Sequence, residues 1–288
     1  MVLLIGVEKV LKETRTPIVF KVAIVPNQFD NLNFFRMKFF SLILFLILSG
    51  FVGAQSTQVS TLIAEAKSLD ASAREEESLQ KFLQVLHLDP GNYEATWNAS
   101  FLYARIGNRL KDTEKKKQYF ITAKQYADKA LLLNPNDAES NYVMAVAMGR
   151  IALISPTKEK VAASREIKKY AGLAIQFNPN HAGAWYVLGK WNYEVANLNW
   201  AEKAAANLLF GGIPEGSLDE AIRDYLKAIK FNPDYILYYY DLAKALEQKE
   251  YYDEEIRVLN QALTLKPKTE DDPSILIKCK ELLDEVKK

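Results

Sequence analysis

Five prolines constrain this chain more than any other feature. Pro90, Pro135, Pro179, Pro233 and Pro267 each follow a stretch with helical apolar spacing, and Asp89, Asn134, Asn178, Asn232 and Lys266 stand just before them. Proline lacks an N–H donor and pushes the residue before it out of helical conformation, so each marks the end of a helix. The chain is therefore cut into short helices that must pack side by side. The clearest joint is Asn178-Pro179-Asn180-His181-Ala182-Gly183-Ala184-Trp185-Tyr186-Val187-Leu188-Gly189-Lys190-Trp191. There one helix ends, a turn follows, and a second begins with Trp185, Leu188 and Gly189 at helical spacing.

This W-x2-L-G core behind an Asn-Pro matches the tetratricopeptide pattern, a helix–turn–helix unit of 34 residues. The proline spacings are 45, 44, 54 and 34. The longer ones imply inserts of about 11, 10 and 20 residues over that standard period. Counting back from each proline places the close-packing positions of the second helices. They fall at Ala123, Ala127 and Ala130, at Ile167, Ala171 and Ala174, and at Ala221, Tyr225 and Ala228. The terminal units fit less well, with Ser78, Phe82 and Val85 at one end and Glu255, Leu259 and Ala262 at the other, as capping repeats do.

The inserts fall between the two helices of a pair. The charge run Lys111–Lys117 reads as a solvated helix end, and Ser155–Lys160 as a second insert. Trp200–Phe210 reads as an extra helix stopped by Gly211-Gly212. Ser217-Leu218-Asp219-Glu220 then reads as a capping box. Asp272-Pro273 reads as cap and first residue of a final helix to about Val286. Its Ile275, Leu276, Leu282, Leu283 and Val286 can cover the open end of the array. The expected fold is all-α: a right-handed tetratricopeptide-type solenoid over 59–288, with inserts between helices and a C-terminal capping helix.

The N-terminal part reads differently. Met37-Lys38 precedes an apolar run from Phe39 to Ala54, with small residues at Val52 and Ala54. That is the three-part form of a secretory signal, and the run is short for a bilayer span, which needs about 20 residues. The expectation is a signal peptide over 37–54, with 1–36 a non-native extension and the mature protein exported, periplasmic or secreted. The alternative is a signal anchor that keeps residues 39–54 in a membrane, with Arg36 and Lys38 on the inner side.

The first helices of a solenoid line its inner groove. Their fifth positions are Trp97, Tyr142, Tyr186 and Tyr240, and four residues on come Phe101, Val146, Lys190 and Lys244. One turn lies between the two rows, so they share a face. Arg105 and Arg150 sit near the far end. This predicts an aromatic-floored groove with cationic points. Trp97, Phe101, Arg105, Tyr142, Arg150, Tyr186, Lys190, Tyr240 and Lys244 are the candidate partner-binding residues. Aromatic and Arg side chains are the usual anchors of protein recognition. The same surface could hold a lipid tail with a lysine near its headgroup. Aromatics at helical spacing also read as core: Trp185, Leu188 and Trp191 are expected inside, and the C-terminal helix or the Trp200–Phe210 helix could fill the groove. His181 is expected at the surface of the turn, and Cys279 as a semi-buried apolar group.

Composition narrows the chemistry. A formal charge of +1 with 25% charged residues gives no reason to expect nucleic acid. One cysteine, Cys279, and two histidines, His87 and His181, leave little for a metal centre or nucleophilic catalysis. No G-x-S-x-G, H-E-x-x-H or phosphate-cradling glycine loop occurs. Catalytic residues, metal ligands and cofactors are expected to be none.

From about Tyr142 onward the chain resembles the regulator of microtubule dynamics family, a tetratricopeptide-like group. The resemblance is carried by Leu188-Gly189-Lys190-Trp191, by Leu198-Asn199-Trp200-Ala201-Glu202-Lys203, by Ser217-Leu218-Asp219-Glu220-Ala221 and by Lys266-Pro267-Lys268-Thr269-Glu270-Asp271-Asp272. It covers about half the chain tightly and most of the rest loosely. It implies a non-enzymatic protein of this fold; some members are tied to microtubules, others to organelle membranes and lipid binding. The expected function is a binding scaffold that holds a protein or peptide in its groove. The alternative is a carrier of lipid or another apolar small molecule in the same groove.

Overall fold

A computed structural model describes residues 56–288. The reading of 1–54 as extension and signal lies outside the described residues. Every element described is helical. The first, α1, spans 56–71. Then follow α2 (Glu75–Leu88), α3 (Tyr93–Arg109), α4 (Thr113–Leu133), α5 (Ala138–Ile154) and α6 (Thr157–Phe177). After α7 (Ala182–Ala196) come α8 (Trp200–Phe210), α9 (Leu218–Phe231), α10 (Ile236–Glu247), α11 (Tyr252–Leu263) and α12 (Asp272–Val286). The prolines do what the sequence predicts: α2, α4, α6 and α9 each stop two residues before one.

The helices pair as α1 with α2, α3 with α4, α5 with α6, α7 with α9 and α10 with α11. Small residues set the pairing distance. Ala123, Ala127, Ala130, Ala171, Ala174, Ala221 and Ala228 are fully buried where helices touch. At Gly189 the helices approach so closely that a Cβ would lie 2.9 Å from Cδ1 of Tyr225 and 3.2 Å from the Ala221 carbonyl oxygen. Tyr225 itself is fully buried.

The first two inserts are absorbed as helix rather than loop. The members of the pairs α3/α4 and α5/α6 are 17 and 21 residues long, against 12 in both α10 and α11. The Lys111–Lys117 run opens α4, capped by Asp112, whose side chain accepts from the Lys115 N–H at 2.9 Å. The third insert is the separate helix α8. Asn199 and Glu202 close a reciprocal capping box at its start, and Gly211 ends it with φ 74°. Ser217 caps α9 by accepting from the Glu220 N–H at 3.2 Å.

Asp272 does not cap α12. It is the first residue of that helix, and its carboxylate accepts from the Lys268 and Thr269 N–H groups at 2.7 Å each. The carboxylate thus folds the preceding turn back on itself. Ile275 and Leu283 are buried against α10 and α11, with Leu276, Leu282 and Val286 beside them, so α12 does cover the end of the array. Cys279 is sealed in that cluster rather than semi-buried, and burial pushes its thiol up to about 11.

Candidate functional site

The first helices α3, α5, α7 and α10 follow one another along the inner face. Their rows meet as expected in the middle of the array. Phe101 and Tyr142 are 5.6 Å apart between ring centroids. Tyr142 also meets His181 at 4.6 Å, while Tyr186 stacks on Tyr238 at 4.8 Å. The Arg105 guanidinium lies 5.0 Å from the Phe101 ring centre.

The last unit departs from the expected row. Tyr238, not Tyr240, meets Tyr186, and Tyr235 from the turn before α10 joins it at 4.7 Å from Tyr238. Tyr240 packs instead into the cluster of Ile275, Cys279 and Leu283. Lys244 lies over the Tyr193 and Tyr240 rings at 5.3 and 5.8 Å. α12 packs against α10 here, and Tyr240 turns into that contact. Tyr238-Tyr239-Tyr240 spread over three directions of a helix, and period alone does not say which points inward.

Polar groups on this face are mostly matched. Tyr186 donates to the Asp241 carboxylate at 2.7 Å. Lys190 lies 3.0 Å from Glu194 and 3.7 Å from Asp241. Burial works against the Lys190 ammonium, but the two carboxylates outweigh it and its pKa is raised. Burial drives the Tyr142 and Tyr186 hydroxyls well above their usual range. Arg105 bonds Asp70, and its Nε lies 2.9 Å from Glu75. Burial disfavours its charge, yet Tyr235, Asp70 and Glu75 together hold it more firmly protonated than usual.

Arg150 is the exception. It makes no hydrogen bond or ion pair among the described residues, and its Nε is buried without a partner. Burial lowers its pKa.

The two ends of the array meet beside this face. Arg109 lies 2.6 Å from Glu75, 3.1 Å from Glu270 and 3.4 Å from Asp271. Nothing in the sequence marked this clasp; Glu75 and Glu270 are 195 positions apart.

His181 is not a surface residue. Its side chain is 9% exposed, because Nδ1 caps α7 by accepting from the Ala184 N–H at 3.0 Å while the ring packs on Tyr142. Trp191 is buried and donates to the Ser164 carbonyl at 2.8 Å. Trp185 and Leu188 are only half-buried; Trp185 donates to the Pro179 carbonyl at 2.8 Å, with the Lys227 ammonium 3.6 Å from its ring centre.

Outside the inner face, an apolar cleft of about 610 Å³ lies between α9, α10 and α11, lined by Leu226, Ile229, Tyr239, Leu242 and Val258. α8 exposes Trp200, Leu208 and Leu209. It is held by Arg165, which donates to the Phe210 and Gly212 carbonyls. Among the described residues, no three His, Cys, Asp or Glu side chains gather as metal ligands. No described helix is long and apolar enough to cross a membrane.

Comparison with known proteins agrees with this architecture. A thermophilic TPR protein of Thermus thermophilus superposes with a TM-score of 0.57 at 16% identity, over 78% of this chain and 98% of its own. Regulator of microtubule dynamics protein 1 of Caenorhabditis elegans is 25% identical over 193 residues, 66% of this chain and 85% of that protein. Regulator of microtubule dynamics protein 2 of Homo sapiens is 26% identical over 180 residues, 62% of this chain. The match spans less than half the length of the human relative, 44%. The family model described as regulator of microtubule dynamics protein 1-3 matches residues 62–287. With α2 to α12 all inside that span, this chain belongs to the regulator of microtubule dynamics protein 1-3 family.

Proposed function

We propose that this protein is a non-catalytic scaffold whose inner face engages a segment of a protein partner. The observation that carries the reading is the composition of that face. Trp97, Phe101, Tyr142 and Tyr186 line it, half-buried, with Lys190 partly exposed beside them. Tyrosine, tryptophan and arginine are the residue types that dominate protein recognition, because each brings area and a polar tip at low entropic cost. Tyrosine hydroxyls and charged groups line the same face, so it suits a peptide backbone with polar side chains better than an acyl chain. The exposed Trp200, Leu208 and Leu209 of α8 support a different role for that helix, as a contact with an apolar surface.

The test is capture of partners from the native compartment by wild type and by the double variant Trp97→Ala, Lys190→Ala. Loss of a specific partner with the helical circular dichroism intact is expected. The same partners on both proteins would overturn the reading. Bound lipid in native mass spectra of the purified protein would favour the carrier alternative. The signal-like stretch 37–54 supports an exported protein; a mature N-terminus just after Ala54 is the expected sequencing result, and one ahead of Met37 would refute export by a cleaved signal.

A further inference from the structure

Arg105 and Arg150 occupy the same position in successive units, 45 residues apart, as do Trp97 and Tyr142. Their surroundings differ. Arg105 is neutralised by Asp70 and Glu75. The same 45-residue step carries Glu75 of α2 to Phe120 of α4. The second unit thus keeps the arginine and drops that buried counter-charge. Tyr186, Asp271, Tyr142 and Tyr235 are among the groups that act on Arg150. Asp271 is the carboxylate among them, and it is already engaged by Arg109 at 3.4 Å. Tyr186 is bonded to Asp241, whereas no hydrogen bond is formed by the Tyr142 hydroxyl among the described residues.

A buried guanidinium N–H without an acceptor is costly, and a folded chain ordinarily satisfies it; the Arg150 Nε is such a group. We propose that Arg150 anchors a subsite for one carboxylate group of an extended peptide, with the Tyr142 hydroxyl as a second donor. The proposal rests on the scaffold reading above and names the chemistry of its ligand. The planar fork of arginine matches a carboxylate through two parallel N–H···O bonds. A dianionic phosphate fits less well, since a single free cation beside Asp271 leaves one of its charges unmatched. The carboxylate is either the C-terminus of the peptide or an Asp or Glu side chain.

The experiment follows arginine Nε–H signals of the 15N-labelled full chain during titration. The probes are N-acetyl-alanine, N-acetyl-aspartate bis-blocked at its backbone ends, N-acetyl-alaninamide, and methyl phosphate. Arg150 is assigned by its absence in Arg150→Gln, whose thermal unfolding confirms the fold, and Arg105 serves as the internal control. A saturable shift of Arg150 with either carboxylate, none with the amide, and none at Arg105 is expected. N-acetyl-alanine acting alone identifies a chain terminus; the aspartate probe acting alone identifies a side chain. Arg150→Gln should weaken the effective probe roughly ten-fold or more, the scale of a charged hydrogen bond. No shift with any anion overturns the subsite. Methyl phosphate binding more tightly than both carboxylates overturns its assignment to a peptide. Either failure alongside retained loss of partner in Trp97→Ala, Lys190→Ala would leave the scaffold standing without this anchor.

Discussion

Glu75 and Glu270 hold each other by their backbones: the Glu75 N–H donates to the Glu270 carboxylate at 3.0 Å, and the Glu270 N–H donates back to the Glu75 carboxylate at 3.2 Å. Two carboxylates this close repel unless cations intervene. Arg109 contacts both, and Arg105 shares the Glu75 Oε2 with it. The first and last parts of the array are thereby fastened, which a solenoid held only by neighbour contacts would not achieve.

Glu75 is fully buried, so Glu75→Ala takes from Arg105 and Arg109 the one carboxylate they share. A loss of about 3 kcal/mol is expected, the scale for breaking a buried ion pair from one side. Glu270→Ala removes only the outer half and should cost about 1 kcal/mol. Urea denaturation gives both values. Amide hydrogen exchange over 264–272 should quicken in both variants; unchanged protection there would show that the clasp does not hold the ends.

Much of this fold was legible because its signals are local. Each proline acts on its own helix, and the end of α8 follows from Gly211-Gly212. The clasp was illegible because Glu75 reads as one of three glutamates on a charged helix start, and only the curvature of the whole array brings residue 270 to it. The inner face was half legible. Trp97, Tyr142 and Tyr186 share a register set by their own helices, while Tyr240 lost the inward position to Tyr238. That exchange depends on how α12 packs against α10, which no periodicity encodes. His181 was misplaced for a similar reason: a turn residue is exposed unless its ring caps the next helix.

Gly189→Ala tests the closest helix contact. The added methyl would lie within 3.0 Å of two Tyr225 ring carbons, and that ring has nowhere to move. Overpacking of this kind costs about 1–3 kcal/mol, more than the gain in helix propensity of about 1 kcal/mol. Gly149 in α5 is the control, with nothing within 4 Å of an added methyl group; Gly149→Ala should stabilise by about 0.5–1 kcal/mol. Thermal melts of the pair should move in opposite directions. A stabilised Gly189→Ala would mean that α7 and α9 are not so tightly opposed.

Tyr186→Phe tests the polar bridge across the inner face. It removes the 2.7 Å bond to Asp241 and leaves that nearly buried carboxylate with Lys190 at 3.7 Å as its remaining cation. A cost of about 1–2 kcal/mol is expected for the lost charged hydrogen bond. A double-mutant cycle with Asp241→Asn measures the coupling directly. Additive losses would show that the two side chains do not act as a pair.

The last prediction concerns pH. Glu255 in α11 is fully buried, and both its carboxylate oxygens lack a partner. Burial, with a smaller push from Glu247, raises its pKa to about 7. A carboxyl whose pKa is higher folded than unfolded binds more protons in the native state between those two values. Stability then falls as pH rises from the ordinary glutamate range, near 4.3, to about 7, and levels off above it. Glu255→Gln fixes the side chain in a neutral form and removes this contribution. The variant should therefore gain on wild type as pH rises, by about 2 kcal/mol at pH 8 relative to pH 4.5, a figure discounted from the full shift. Urea denaturation of both proteins across that range isolates the difference, since every other titrating group is common to the two. A constant gap from pH 4.5 to 8 would show that Glu255 ionises in the folded protein as it does in the unfolded chain, and that water reaches it along α11.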